Sequence, residues 1–196
     1  MNKNRLEAFS DGMFAIIMTI MILDLKVPAG GTFKDLQTVF PAFFCYLQSF
    51  LFVGVYWNNH HHLLHTVKKV NGKLMLANMA ILFWLSLIPF VTAWVAQTDF
   101  ATEAVVVYSI ALLLPAFSWQ LLQSIAEKTN YWSPELKRIL DKQGKVKGTI
   151  SLVIYASGIP FAYINPYISE GLFLLVSVMW LIPNKEIEKV LWDEKD

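Results

Sequence analysis

The chain has 196 residues, 56% of them hydrophobic and 16% charged, with a formal net charge of +1 at pH 7. A soluble domain carries about a quarter of charged residues and spreads them so that each helix keeps a wet face. Here they crowd into short segments between long apolar runs, which excludes an ordinary soluble domain, and the lack of any basic tract with interleaved aromatics argues against a nucleic-acid partner.

An apolar run of about twenty residues crosses the hydrocarbon core of a bilayer, and six such runs are expected. The first covers 9–27 and is closed by Pro28 and the Gly30-Gly31 pair. Lys3 and Arg5 ahead of it raise the question of a signal peptide. Asp11 interrupts the run, however, and no small-x-small cleavage pattern follows, so a retained helix is expected. The second span covers 41–60, entered by a short amphipathic turn around Asp35, and contains the single cysteine, Cys45. One cysteine in an apolar stretch leaves no intrachain disulfide and no cysteine-based zinc site. Spans three and four cover 74–96 and 104–125, and a charged connection over 127–147 follows, with a helical turn or two after Ser133-Pro134. The fifth span covers 146–164 and the sixth 167–182, stopped by Pro183; the ending, 185–196, reads as a mixed-charge solvated helix. Pro89, Pro115 and Pro160 lie inside spans, where packed neighbours accommodate a kink.

Of the 16 Lys and Arg, all but Lys26 and Lys34 fall on one side of this layout. By the positive-inside rule both termini are cytoplasmic, and the chain is a multi-pass protein of the cell membrane forming one six-helix domain. Trp94, Tyr131, Trp132 and Tyr167 sit near span ends, where aromatic belts form.

The first span carries the chemistry. At about 100° per residue, Ile20, Leu23 and Val27 fall within about 40° of Ile16, with Thr19 and Gly12 beside them and Asp11 on the opposite face. Branched apolar residues at this spacing are also what plain helix packing produces. Asp11 is costly in lipid and is expected to pack against other helices; a charge held by Arg5 or a neighbouring helix for folding alone is the competing reading.

The run Arg5, Phe9, Ser10, Asp11 at the head of a first membrane helix resembles the signature of the transmembrane protein 175 family, endolysosomal and prokaryotic cation channels selective for potassium. Gly12 to Ile16, then Thr19 to Asp24, and Trp57 with His60 and His61 after the second span also resemble that family. The resemblance implies an all-α membrane protein, six transmembrane helices per subunit, assembled as a homotetramer. The first helix of each subunit would line a central pore with no re-entrant filter loop. It further implies apolar constriction rings at Ile16, Ile20 and Leu23, and a selectivity-determining hydroxyl ring at Thr19. Potassium would be the permeant ion. A latch of Arg5, Phe9, Ser10 and Asp11 would tie this helix to its neighbours through His60, His61 or Asn58. Asp24, near the outer mouth, has two open readings: it concentrates cations, or it is a plain interfacial charge.

His61 and His65 stand at i, i+4, a spacing that suits a metal on a helix face. Membrane oxygenases need several separated histidine boxes, whereas all 4 histidines here form one run. The expectation is therefore no metal centre, no cofactor and no enzyme, with imidazole titration between pH 5 and 8 as another use of the run. A secondary transporter and a proton-permeable channel are the alternatives, although the two halves of the chain do not mirror each other as transporter repeats do.

Overall fold

Backbone groups in a bilayer must be satisfied within their own segment, and helices alone meet that demand here. A computed structural model describes residues 2–181, with the side chains at 135, 139 and 141–145 left aside. The expected sixth-span end at Ile182, the stop at Pro183 and the helix over 185–196 lie outside the described residues. Among these there are eight α-helices, one 3-10 turn and no strand. In order they are α1 (Lys3–Ile20), the 3-10 turn (Met21–Asp24), α2 (Phe33–Gln37), α3 (Phe40–His65), α4 (Gly72–Ser86), α5 (Ile88–Gln97), α6 (Thr102–Asn130), α7 (Pro134–Ile164) and α8 (Pro166–Leu181).

Four helical stretches are long and apolar enough to cross a membrane among the described residues: Lys3–Asp24, Phe40–His65, Gly72–Gln97 and Thr102–Asn130. They correspond to the first four expected spans, with four differences of detail. The first helix starts earlier than 9, because Asn2 caps it by accepting a hydrogen bond from the Asn4 amide. It also stops earlier than 27, tightening into the 3-10 turn so that the Leu25 amide can reach the Ile22 carbonyl. The second span runs on through the histidines to His65, so His60 and His61 lie within its helix and not after it. The third is broken at Leu87, two residues before Pro89, whose ring cannot accept an unbroken ladder and which instead opens α5.

The turn expected at Asp35 is α2, held by a reciprocal capping box between Thr32 and Asp35. The hydroxyl and backbone amide of Thr32 both donate to the Asp35 carboxylate and hold its pKa below the usual value. The connection after α6 is far more helical than expected. Tyr131 ends α6 in the left-handed region (φ 51°), Ser133 caps α7, and nothing breaks that helix before Asn165. The fifth expected span is thus the second half of a 31-residue helix whose first half is charged, with Lys137 of α7 paired to Glu127 of α6 at 2.6 Å. The sixth corresponds to α8, described over its 16 residues Pro166–Leu181.

Around α6 the unit closes: α4, α5 and α7 pack on it, α8 lies against α7 and α3, and α1 rests on α3 and α4. Lipid tails are as apolar as Leu, so helices associate in a bilayer through close packing and hydrogen bonds, not water exclusion. Accordingly α6 buries small residues, Ala104, Ser109, Ala111 and Ala116, and Ser169 of α8 donates to the Gly158 carbonyl of α7 at 2.8 Å. Gly158 is where α8 comes closest, because a methyl there would overlap the Phe173 ring. That ring is 1% exposed and boxed in by Tyr108 and Tyr155. Gly158→Ala gains about 1 kcal/mol of helix propensity but overpacks a site whose neighbour has no retreat, at a cost of about 1–3 kcal/mol. A lower melting temperature in detergent is expected; a rise would contradict this packing.

Candidate functional site

The first helix has two unlike faces. Leu6, Ser10, Phe14 and Ile17 of α1 and Met21 of the 3-10 turn are buried on the side that packs on α3, α4 and α5. Ile16, Ile20 and Leu23 point away from the unit, 53%, 45% and 79% exposed, and Thr19 lies exposed among them. The Thr19 hydroxyl donates back to the Ala15 and Ile16 carbonyls, at 2.8 and 3.1 Å. With its proton committed to the backbone, the Thr19 oxygen offers its lone pairs outward as an acceptor. Leu23 and Asp24 sit on the 3-10 turn, at three residues per turn, so their directions differ from those of an α-helix continued to Val27. Asp24 is exposed at that end of the unit.

On the inward face one hydrogen-bonded chain crosses three helices. Ser10 is fully buried and donates to the Leu6 carbonyl at 2.8 Å, so its oxygen accepts from the Asn78 amide nitrogen at 3.0 Å. That fixes the Asn78 amide orientation and turns its carbonyl oxygen to His60 Nε2, 2.6 Å away. His60 must then carry its proton on Nε2, since the amide oxygen can only accept. The chain therefore runs in one direction from α3 through α4 to α1. Phe14 covers it, its ring 5.3 Å from the imidazole of His60. His60 Nδ1 is buried without a hydrogen bond among the described residues.

Asp11 turns to α3, where the Trp57 indole donates to it at 3.0 Å. Arg5 and Phe9 are exposed on the subunit surface, and no ion pair among the described residues engages Arg5. The latch residues thus divide: Ser10 and His60 meet through Asn78, Asp11 meets Trp57, and Arg5 and Phe9 face outward. His61 lies elsewhere, one turn before His65 with their Nε2 atoms 3.1 Å apart. Glu7 of α1 reaches both rings, 3.5 Å from His61 Nδ1 and 3.8 Å from His65 Nε2. Asn59, next to Asn58, donates to the Val55 carbonyl of its own helix at 2.8 Å.

Three residues escaped the sequence reading. Asn78 is a lone amide in an apolar helix, and Glu7 sits one turn before the motif aspartate. The third is Glu170, 3% exposed inside α8, which accepts from the Gln48 amide of α3 at 2.7 Å. Beside that pair Ser49 bonds both Thr92 and Tyr108 at 2.7 Å, tying α3 to α5 and α6. An acid within an apolar run is the signal that could have found Glu170.

Comparison with known proteins follows the same lines. The sequence model of the family described as endosomal/lysosomal potassium channel TMEM175 matches residues 5–89, the stretch holding the motif, the histidines and Asn78. A potassium channel of Chryseobacterium sp. (strain P1-3) is 47% identical over 97% of this chain and 98% of its own length. The human endosomal/lysosomal proton channel TMEM175 is 35% identical over 45% of this chain, which spans 20% of that longer protein. Among solved structures, a lysosomal potassium-selective channel TMEM175 homolog from Chamaesiphon minutus superposes with a TM-score of 0.78, covering 92% of this chain and 96% of that one, at 26% identity.

Proposed function

The chain belongs to the family of the endosomal/lysosomal potassium channel TMEM175, and from that premise we propose that it is a potassium-selective cation channel whose pore is lined by α1. Four copies surround a central axis in the cell membrane, each crossing it six times with both termini in the cytoplasm. The observation that carries this reading is the outward stripe of Ile16, Ile20 and Leu23 with the Thr19 oxygen among them, on a helix locked from behind by Ser10 and Asn78. The Lys and Arg bias supports the orientation.

Brought together by fourfold symmetry, the branched side chains form rings that water leaves readily, and an ion there would lose its shell with nothing in exchange. Widening the rings readmits water, and conduction resumes. The Thr19 oxygens supply part of the missing shell. Potassium holds its water less tightly than sodium, so a site that replaces the shell only in part favours potassium. Asp24, exposed at one end of α1, raises the local cation concentration. Passage is passive, and no covalent step or cofactor is involved.

The test is potassium against sodium flux into liposomes holding the purified protein, wild type beside Thr19→Ala. Potassium-preferring flux is expected, with the preference reduced severalfold in Thr19→Ala and the flux itself retained. No flux from folded, inserted protein would remove the channel reading. A second reading, proton permeation, is favoured by the name of the human relative; a pH-sensitive dye in the same vesicles measures it directly.

A further inference from the structure

We propose that Glu7, His61 and His65 bind one divalent transition-metal ion of the zinc class, clamping the start of α1 to the end of α3. The proposal goes beyond ion conduction, since binding at this place requires no pore.

The site is assembled from two helices that pack on each other. His61 and His65 lie one turn apart on α3, so their rings project from one face. Glu7 comes from α1, one turn ahead of the Asp11 that Trp57 holds. One ligand atom from each of the three residues falls within 4.8 Å of the others. An ion with tetrahedral bonds of about 2.0–2.1 Å holds its ligands about 3.3–3.4 Å apart. The separations of 3.1 Å between the two Nε2 atoms, and 3.5 and 3.8 Å from Glu7 Oε1 to the rings, bracket that edge. His61 turns Nδ1 to the glutamate and Nε2 to His65, so an ion takes one of the two after a small ring rotation.

Two imidazole nitrogens and one carboxylate oxygen suit zinc, nickel, cobalt or copper ions, whereas magnesium and calcium select all-oxygen shells. Three protein ligands leave a coordination position to water, and the partial exposure of the side chains (41%, 38% and 20% for His61, His65 and Glu7) gives the ion an entry path. Support comes from behind, where the Trp57 ring stacks on His61 at 6.3 Å. The Lys3 ammonium donates to the His65 backbone carbonyl at 3.2 Å. The plain alternative is an imidazole–imidazole hydrogen bond beside an acid, which needs the same distances but shows no metal selectivity.

The experiment is zinc titration of the purified, metal-stripped full chain against a chromophoric zinc indicator, followed by cobalt substitution and its visible spectrum. One zinc per chain is expected, with tetrahedral cobalt absorption and no competition from millimolar magnesium. His65→Ala and Glu7→Gln should each weaken binding about tenfold or more; Glu7→Gln keeps the side-chain shape, so an unchanged gel-filtration profile separates a lost ligand from a lost fold. No stoichiometric binding by folded wild type, or wild-type affinity retained in both variants, overturns the proposal. Flux in liposomes is measured apart from this, so a negative result here leaves the channel reading standing, and the reverse.

Discussion

Ile20→Asn is expected to raise potassium flux in the liposome assay by about tenfold or more, the equivalent of removing about 1.4 kcal/mol from the conduction barrier. In the proposed tetramer the change places four amides where four branched side chains would exclude water. A dewetted ring becomes one that holds water through the whole gating cycle, and the ion no longer crosses a gap without ligands. Ile20 is 45% exposed on the subunit and belongs to none of the buried contacts of α1, so the substitution should leave the fold intact. The two effects can be told apart: melting temperature unchanged, flux increased. Ile17→Asn is the companion, since Ile17 is 3% exposed on the opposite face; it should unfold the subunit with no gain in flux. An Ile20→Asn protein that folds normally and conducts no better than wild type would take the constriction off this helix.

The largest effect on stability is expected from Asn78→Leu. Leucine has the same branched four-atom side-chain skeleton, and in a helix otherwise so apolar a hydropathy argument would predict a gain. The hydrogen-bond chain says otherwise. Removing the amide strands the His60 Nε2–H donor and takes from Ser10 the bond its oxygen accepts, both at fully buried positions. Each stranded group costs about 1–3 kcal/mol in a protein interior. Interhelical bonds in membranes measure nearer 0.6–2 kcal/mol, so a net loss of about 2–4 kcal/mol is expected. Chemical or thermal unfolding in detergent measures it, and Ser10→Ala/Asn78→Leu should lose less than the two single changes summed, because they break one chain. A stability within about 0.5 kcal/mol of wild type would show that the chain contributes nothing.

Much of this was legible from residue order alone. The first four spans are plain in the hydropathy, and the Ser10 motif stands out because a hydroxyl and a carboxylate at a membrane entry call for partners. What stayed hidden depends on rotations about helix axes that no single segment encodes. Asn78 and His60 are 18 residues apart, on helices that both pack on α1. Glu7 reads as one more charge beside Arg5 until α1 lies against the end of α3. The length of α7 was obscured by its charge. Lys and Arg mark a segment as wet, but they are also good helix formers, and after the Ser133 cap nothing stops the helix. Glu170 was visible in principle; an acid between Tyr167 and Ile182 has to be neutralised or bonded, and the amide of Gln48 supplies one such bond.

The outward face of α1 also bears on how the protein is made. A pore wall lined with charge would have to be hidden from lipid the moment it left the insertion machinery. If it lines a pore as proposed, the stripe of Ile16, Ile20 and Leu23 carries no such urgency, because its apolar side chains are compatible with acyl chains before assembly. A newly inserted protomer is therefore at ease in the bilayer by itself. For the proposed tetramer, assembly then becomes a matter of how many protomers share a patch of membrane, and dilution in lipid is the natural way to take it apart.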